Sequence, residues 1–210
     1  MSEVDVERLE EELKSIHERI RPKNIVDVEV WSHLGKIGVE MPFVLDAEYD
    51  PKRRELYFTN ASSWGILYFL RDTLKRLYGV KCRAPFYDTA YDAAAMECTV
   101  PEDVDPEKLL KYVVAATEVA SDMIGRVEVP EKDTYWELLP ILKELAEDVG
   151  GIYRGAYEVL KRGDVNEYLE IMGYTYGETP RKTKRIGRLV ARRKREEVLR
   201  RIKDILGDLV

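Results

Sequence analysis

The stretch from Asn60 to Gly79, NASSWGILYFLRDTLKRLYG, places the strongest constraint on what this chain can fold into. Asn60 can cap a helix by accepting hydrogen bonds from its first free backbone N–H groups, and Gly79 can end the helix in the left-handed conformation. The apolar side chains between them cover well over half of the circumference: Trp64, Ile66, Leu67, Phe69, Leu70, Leu74 and Leu77. A helix this apolar must be covered, so the sequence predicts a sheet or a partner packed against it.

Runs with strand character lie on both sides of this helix. Those before it, at 25–31, 36–48 and 55–59, are joined by short turns, which favours an antiparallel meander. Pro42 marks an edge or a bulge in the second run, because proline cannot donate to a strand ladder. The runs 80–87 and 94–100 predict a strand pair with its turn centred near Ala90.

The remaining segments read as helices. An apolar stripe at spacings of three and four residues predicts one over about 4–21. Asp105 and Pro106 predict the cap and first residue of another that runs to about Ile124. After a linker at 127–132, helices are predicted over 135–149, 152–162, 165–172 and from about 181 to the C-terminus, with a loop at 173–180. The fold class expected is α+β: a five-stranded antiparallel sheet in the order αβββαββα over about 1–126, followed by an all-helical extension over 131–210.

This order resembles the type III secretion chaperone-like fold shared by bacterial sensory transduction regulator-like proteins. The segment MECTVPEDVDPEKLLKYVVAATEVASDMI, at 96–124, is similar to that family's closing strand, acidic helix entry and last helix. The resemblance covers residues 1–126 and rests on order and pattern. It implies a dimeric module that binds other proteins and contributes no catalytic residues.

The composition of the chain indicates its cellular location and the kind of organism it suits. No run of 18 apolar residues exists, and the acidic start MSEVDVERLEEELK lacks the features of a signal peptide, so we expect a cytoplasmic protein. Charged residues form 35% of the chain, which contains no Gln and only three Asn. This balance is typical of hyperthermophiles.

Charge is divided unevenly along the chain. Residues 181–210 carry 12 Lys or Arg against 4 Asp or Glu, a net charge of +8, so the other residues carry −14 of the total of −6. The basic candidates for binding nucleic acid or an acidic partner are Arg181, Lys182, Lys184, Arg185, Arg188, Arg192, Arg193, Lys194 and Arg195. They fall on every face of the first half of the last helix, which we expect to project while its second half packs. Three interpretations stay open: a phosphate-backbone surface, a strap on an acidic surface of the same chain or a partner, and a solvated face.

A few other residues are candidates for base stacking, a disulfide or catalysis. Tyr174 and Tyr176 can stack on bases beside the basic run, or pin their loop to the surface. Cys82 and Cys98 lie equally far from Ala90, so they are either a cross-strand disulfide or two small buried side chains. His17 and His33 read as surface histidines without a Ser or Cys partner. No metal site or cofactor is expected.

The function expected is therefore a non-enzymatic, chaperone-like binding or adaptor protein. It would act through protein–protein contacts, as a homodimer that uses its first helix or the exposed side of its sheet. One alternative is association with DNA or RNA through the basic helix at 181–203. The other is an enzyme of unknown reaction, although the sequence contains no catalytic signature.

Overall fold

The computed structural model describes residues 4–20, 27–174 and 181–207. The helices are α1 Val6–Ile20, α2 Trp64–Tyr78, α3 Pro106–Ala120, α4 Arg126–Glu128, α5 Tyr135–Asp148, α6 Ile152–Lys161, α7 Val165–Met172 and α8 Lys184–Leu206. A π-helical segment, Ser121–Gly125, joins α3 to α4, and a short 3-10 turn, Arg181–Thr183, leads into α8. The strands are β1 Glu29–His33, β2 Lys36–Met41, β3 Leu45–Asp50, β4 Glu55–Thr59, β5 Lys81–Cys82, β6 Phe86–Asp88 and β7 Ala93–Thr99.

The strands form an antiparallel sheet in the order β1-β2-β3-β4-β7-β5, with β6 also paired to β7. Alternating burial along β3 and β4 shows that one face of the sheet lies on the core and the other faces outward. The α+β class predicted from the sequence is therefore confirmed.

The predicted strand count and order are wrong, because two runs each split at a proline. The run 36–48 turns at Pro42, and its halves pair with each other, so that Met41 lies opposite Leu45. The run 80–87 breaks at Pro85: three residues lie between Cys82 and Phe86, whereas two lie between their partners on β7. This extra residue is a bulge, which shifts the register by one. Of the predicted strand at 25–31, residues 25 and 26 lie outside the described residues, and β1 begins at Glu29.

Helix α2 starts later than predicted. Its N-cap is Ser63, whose side chain accepts from the N–H of Ile66 at 3.2 Å. Asn60 instead has a positive φ of 54° and donates to Asp46. The predicted end is confirmed, since Gly79 has a φ of 65° and donates to the carbonyls of Leu74 and Lys75.

The covering of α2 differs from the expectation of a sheet alone. Helix α2 contacts β5 and β7, and it also packs extensively on α3 and α8. The first half of α8, which we expected to project, therefore lies inside its own chain. Ile186 and Val190 are completely buried there and Ala191 nearly so. Helix α8 packs here because α2 is apolar over more of its circumference than the sheet can cover.

The helical segments after the sheet are close to their predicted bounds, with Pro140 accommodated inside α5. Helix α3 begins as predicted, with Asp105 as its cap and Pro106 in its first turn. The linker predicted at 127–132 begins too early, because Val127 and Glu128 still belong to α4. One continuous hydrophobic cluster includes side chains from α1, the sheet and all the long helices.

Candidate functional site

A groove in which arginine is the commonest lining residue lies between α2, the end of α5 and the first half of α8. Its volume is about 470 Å³. On α8, Arg185, Arg188, Arg192 and Arg195 follow one another at spacings of three, four and three residues, which places them on one helix face. Arg71 adds a fifth guanidinium from α2. We call this site the arginine groove; its other lining residues are Tyr68, Asp72, Glu144, Leu145, Asp148, Val149 and Leu189.

Two glycines bring α2 and α8 close enough to form the groove. A Cβ at Gly187 would lie 2.6 Å from the backbone nitrogen of Gly65 and 2.6 Å from the Cβ of Trp64. A Cβ at Gly65 would lie 2.4 Å from a methyl carbon of Ile124. The helices therefore touch backbone to backbone, at a separation that a side chain at either position would prevent.

A buried carboxylate, that of Glu128, lies beside this crossing and binds the start of α2. Glu128 accepts hydrogen bonds from the N–H groups of Trp64 at 3.0 Å and Gly65 at 2.7 Å, and from the hydroxyl of Tyr174 at 3.3 Å. It thereby satisfies the first free donors of α2 at the positive end of the helix dipole. Burial raises the pKa of Glu128 to about 7, although the hydrogen bonds from Gly65, Ser63 and Trp64 oppose this rise.

Some of the predicted basic residues are neutralised within the chain. Arg193 pairs with Glu144, Lys194 with Glu137 at 2.8 Å, and Arg195 with Asp72 at 3.8 Å. These contacts attach the outward side of α8 to α5 and α2. In this part of the helix, the basic side chains therefore pair with acidic side chains of the same chain, as in the second of the three interpretations.

The basic residues at the start of α8 and in the turn before it contact neighbouring segments. Arg181 lies over the ring of Tyr87, with 4.8 Å between the guanidinium carbon and the ring centroid. Lys182 donates to the carbonyl of Ile171, and Lys184 donates to that of Pro85. These three side chains therefore already have protein contacts.

Four arginines of the groove behave differently. Among the residues that the structure describes, Arg71, Arg185, Arg188 and Arg192 have no carboxylate within 4 Å. The three on α8 are exposed and Arg71 is partly exposed. Four guanidinium groups thus face one recess without ion-pair partners, which makes the recess attractive to an anion.

Carboxylates border the groove as well. Asp72 and Glu144 are engaged by Arg195 and Arg193, and Asp148 stands at the end of α5. Tyr68 and the half-exposed Val149 give the recess an apolar part. Burial raises the pKa of the Tyr68 hydroxyl, while the nearby charges of Arg188 and Arg71 oppose the rise.

The predicted aromatic partners are not at this site. Tyr174 is only 8% exposed and binds Glu128, so its ring is not available to stack on a base from solvent. Tyr176 lies outside the described residues. Tyr68, which sequence reasoning missed, is the aromatic side chain that lines the groove.

Cys82 and Cys98 lie opposite each other on β5 and β7 and are joined as a disulfide. Their Cα atoms are 3.9 Å apart, and the bond attaches the two-residue edge strand β5 to its neighbour β7. Within the described residues, no group of three His, Cys, Asp or Glu side chains is arranged to hold a metal ion.

The interpretation of His17 as a surface histidine is wrong. Its ring nitrogen Nδ1 lies 2.7 Å from Oε1 of Glu118, and both side chains are buried between α1 and α3. Burial raises the pKa of Glu118 to about 8. The pair is enclosed by two packed helices and does not line a cleft, so its geometry is that of a buried interhelical contact.

No family model, curated protein or solved structure matches this chain. The resemblance to chaperone-like proteins therefore remains a prediction. No helix in the described ranges is long and apolar enough to span a membrane.

Proposed function

We propose that this protein binds nucleic acid without catalysis, by taking backbone phosphates into the arginine groove. The observation that carries the proposal is the set of four arginines, Arg71, Arg185, Arg188 and Arg192, that face one recess without ion-pair partners. Elsewhere on α8, neighbouring basic side chains are satisfied by carboxylates of the same chain. Arg200 and Arg201 of α8 are exposed as well but lie outside the groove, so the four groove arginines are distinguished by lining one recess together.

Phosphate suits these groups for physical reasons. A guanidinium can donate two parallel hydrogen bonds to a phosphate, and these charge-assisted bonds are stronger than neutral ones. A recess with low-dielectric walls also concentrates the field of its charges. Each phosphate that is neutralised releases counterions, so we expect binding that weakens steeply as salt is added.

Chaperone-like protein binding in the cytoplasm is the second proposal. Three large apolar side chains, Leu34, Phe43 and Trp136, are exposed at separate points, and scattered exposed residues of this kind are common on protein surfaces and do not by themselves mark an interface. A homodimer would need a surface other than the apolar stripe of the first helix, because Leu9 and Leu13 are completely buried within the chain.

A titration followed by fluorescence anisotropy tests the first proposal. Labelled RNA and DNA of about 20 nucleotides, single-stranded and duplex, are titrated with the full chain at several salt concentrations. The triple variant Arg185→Gln, Arg188→Gln, Arg192→Gln removes three cations of the groove. It should lower the slope of log affinity against log salt by about 2 for a single strand.

A matched variant controls for total charge. Lys108→Gln, Arg200→Gln, Arg201→Gln also removes three exposed cations, all of them outside the groove. It should bind nearly as the unmodified chain does. Nucleic-acid binding is rejected if no probe binds at low salt, if both triple variants lose equal affinity, or if a polyglutamate peptide competes as well as RNA does.

A further inference from the structure

The shape of the arginine groove is informative about the form of nucleic acid that it admits. The charged groups lie in a recess of about 470 Å³ between α2, α5 and α8, rather than on a protruding ridge. This volume is in the range of pockets that hold one small ligand. A duplex presents its phosphates on a wide, stiff cylinder, which cannot enter a recess of this size.

The carboxylates at the groove also disfavour a second strand. Asp72, Glu144 and Asp148 contribute to the lining from α2 and α5, and Asp72 and Glu144 are paired with Arg195 and Arg193 of α8. A single backbone can follow the arginines and avoid these groups. The second backbone of a duplex would bring phosphates towards them, and like charges repel.

The spacing of the arginines matches a short piece of one strand. Arg185 and Arg192 are seven residues apart on α8, which corresponds to about 10 Å along the helix axis. Adjacent phosphates of one strand lie farther apart than the axial rise of about 3.4 Å per nucleotide, so this distance covers about two of them. Arg188 lies between them on the same face.

The apolar part of the groove offers a surface for a base. Tyr68 is partly buried, and its hydroxyl interacts electrostatically with both Arg71 and Arg188. Leu145, Leu189 and the exposed Val149 complete this apolar part. Aromatic side chains beside a cationic track are the usual means by which proteins bind unpaired bases.

We propose, on the basis of the function given above, that the groove selects single-stranded nucleic acid and stacks one unpaired base against Tyr68. The phosphates on both sides of that base pair with Arg71 and with the α8 arginines. Selection arises because only an unpaired base can turn into the recess while its backbone follows Arg185, Arg188 and Arg192.

Competition between matched strands tests this selectivity. A labelled single strand is bound by the full chain, then displaced by the same unlabelled strand or by that strand annealed to its complement. We expect the single strand to compete at least about tenfold better, since stacking and backbone contact are both lost in the duplex. Equal competition by the duplex would overturn this inference and leave the proposed function standing, whereas no binding by either form rejects both.

A fluorescent base reports on Tyr68 directly. A strand that contains 2-aminopurine should lose base fluorescence on binding, because stacking on an aromatic ring quenches it. Tyr68→Leu should remove most of this quenching and weaken binding about tenfold. Tyr68→Phe keeps the ring and should restore both signals.

A second substitution covers the case in which Tyr68→Leu unfolds, which is checked by circular dichroism. Val149→Asp adds a carboxylate at a half-exposed position of the groove. It should weaken binding of the single strand without changing the fold. Unchanged quenching in a folded Tyr68→Leu protein, or unchanged affinity in Val149→Asp, would show that the base does not enter the groove.

Discussion

Two buried glutamates, Glu118 and Glu128, show how single residues affect the stability of this fold. Each is fully buried and lies against a helix of another part of the chain. Glu128 has its charge compensated by donors at the start of α2. Glu118 has His17 on one oxygen, and its Oε2 has no hydrogen-bond partner. A buried carboxylate with an unsatisfied oxygen favours the protonated form.

The pH dependence of stability should reveal Glu118. Its pKa is about 8 in the folded chain and 4.5 as the ordinary value, so folding retains a proton that the unfolded chain releases. This contribution is complete below pH 4.5 and is lost as the pH rises through about 8. Each pKa unit corresponds to about 1.4 kcal/mol, so the free energy of unfolding should fall by a few kcal/mol over this interval.

Urea unfolding from about pH 5 to about pH 9 measures this fall. Glu118→Gln should reduce this fall, because glutamine cannot titrate, and the fall that remains up to about pH 7 belongs to Glu128, whose pKa burial also raises. Glu11→Gln changes an exposed glutamate of α1 and should keep the original profile. If Glu118→Gln shows the same pH dependence as the unmodified chain, the pair with His17 is not the source.

Among the elements, α8 differs most from what its sequence suggests. More than half of its side chains are polar or charged, yet it packs along α2 and α3 inside its own chain. Its contact with α2 depends on Gly65 and Gly187, which let the two backbones meet. The same contact brings Arg71 of one helix and Arg188 of the other to one groove.

Gly187→Ala tests this crossing. The added methyl group would overlap the backbone of α2, and overpacking of this kind costs about 1–3 kcal/mol. The gain in helix propensity from alanine offsets this cost by at most about 1 kcal/mol. We therefore expect a net loss of stability, measured by thermal or urea unfolding, and weaker binding of nucleic acid at the groove.

Gly155→Ala is the control for Gly187→Ala. Gly155 lies within α6, and a Cβ there would have no neighbour within 4 Å. Alanine at this position should stabilise the protein through propensity alone. A chain with Gly187→Ala that is as stable as the one with Gly155→Ala would mean that the helices separate easily.

Across the whole molecule, the basic residues of α8 divide into those paired with carboxylates and those left unpaired. Arg193, Lys194 and Arg195 pair with carboxylates of α5 and α2. The unpaired arginines then concentrate positive charge in the groove of a chain with a net charge of −6. Like charges placed together destabilise the folded state slightly, a cost that proteins commonly accept at binding sites.

Removing the groove charges should therefore stabilise the free protein. Arg185→Gln, Arg188→Gln, Arg192→Gln should raise the free energy of unfolding at low salt by less than about 1 kcal/mol. The gain should disappear at high salt, where the repulsion is already screened. A loss of stability at low salt would indicate that these arginines have favourable contacts within the chain.

The local sequence pattern predicted the positions of the helices and strands well, and predicted which of them contact each other less well. The α+β class, the end of α2 at Gly79, the start of α3 at Asp105 and the helices after residue 134 follow from spacing, caps and breakers. The prolines at 42 and 85 were visible, but whether each bends a strand or divides it depends on which strand pairs with it.

The sequence by itself determined where helices and strands form and that the end of the chain is basic, because these properties depend on neighbouring residues. Only the tertiary structure decided which basic residues remain unpaired, since the answer depends on carboxylates far away in sequence. Asp72 neutralises Arg195 and Glu144 neutralises Arg193, whereas Arg71 joins Arg188 in the groove. The candidate site is thus a product of the α2–α8 crossing, and two glycines more than 120 residues apart make that crossing close enough.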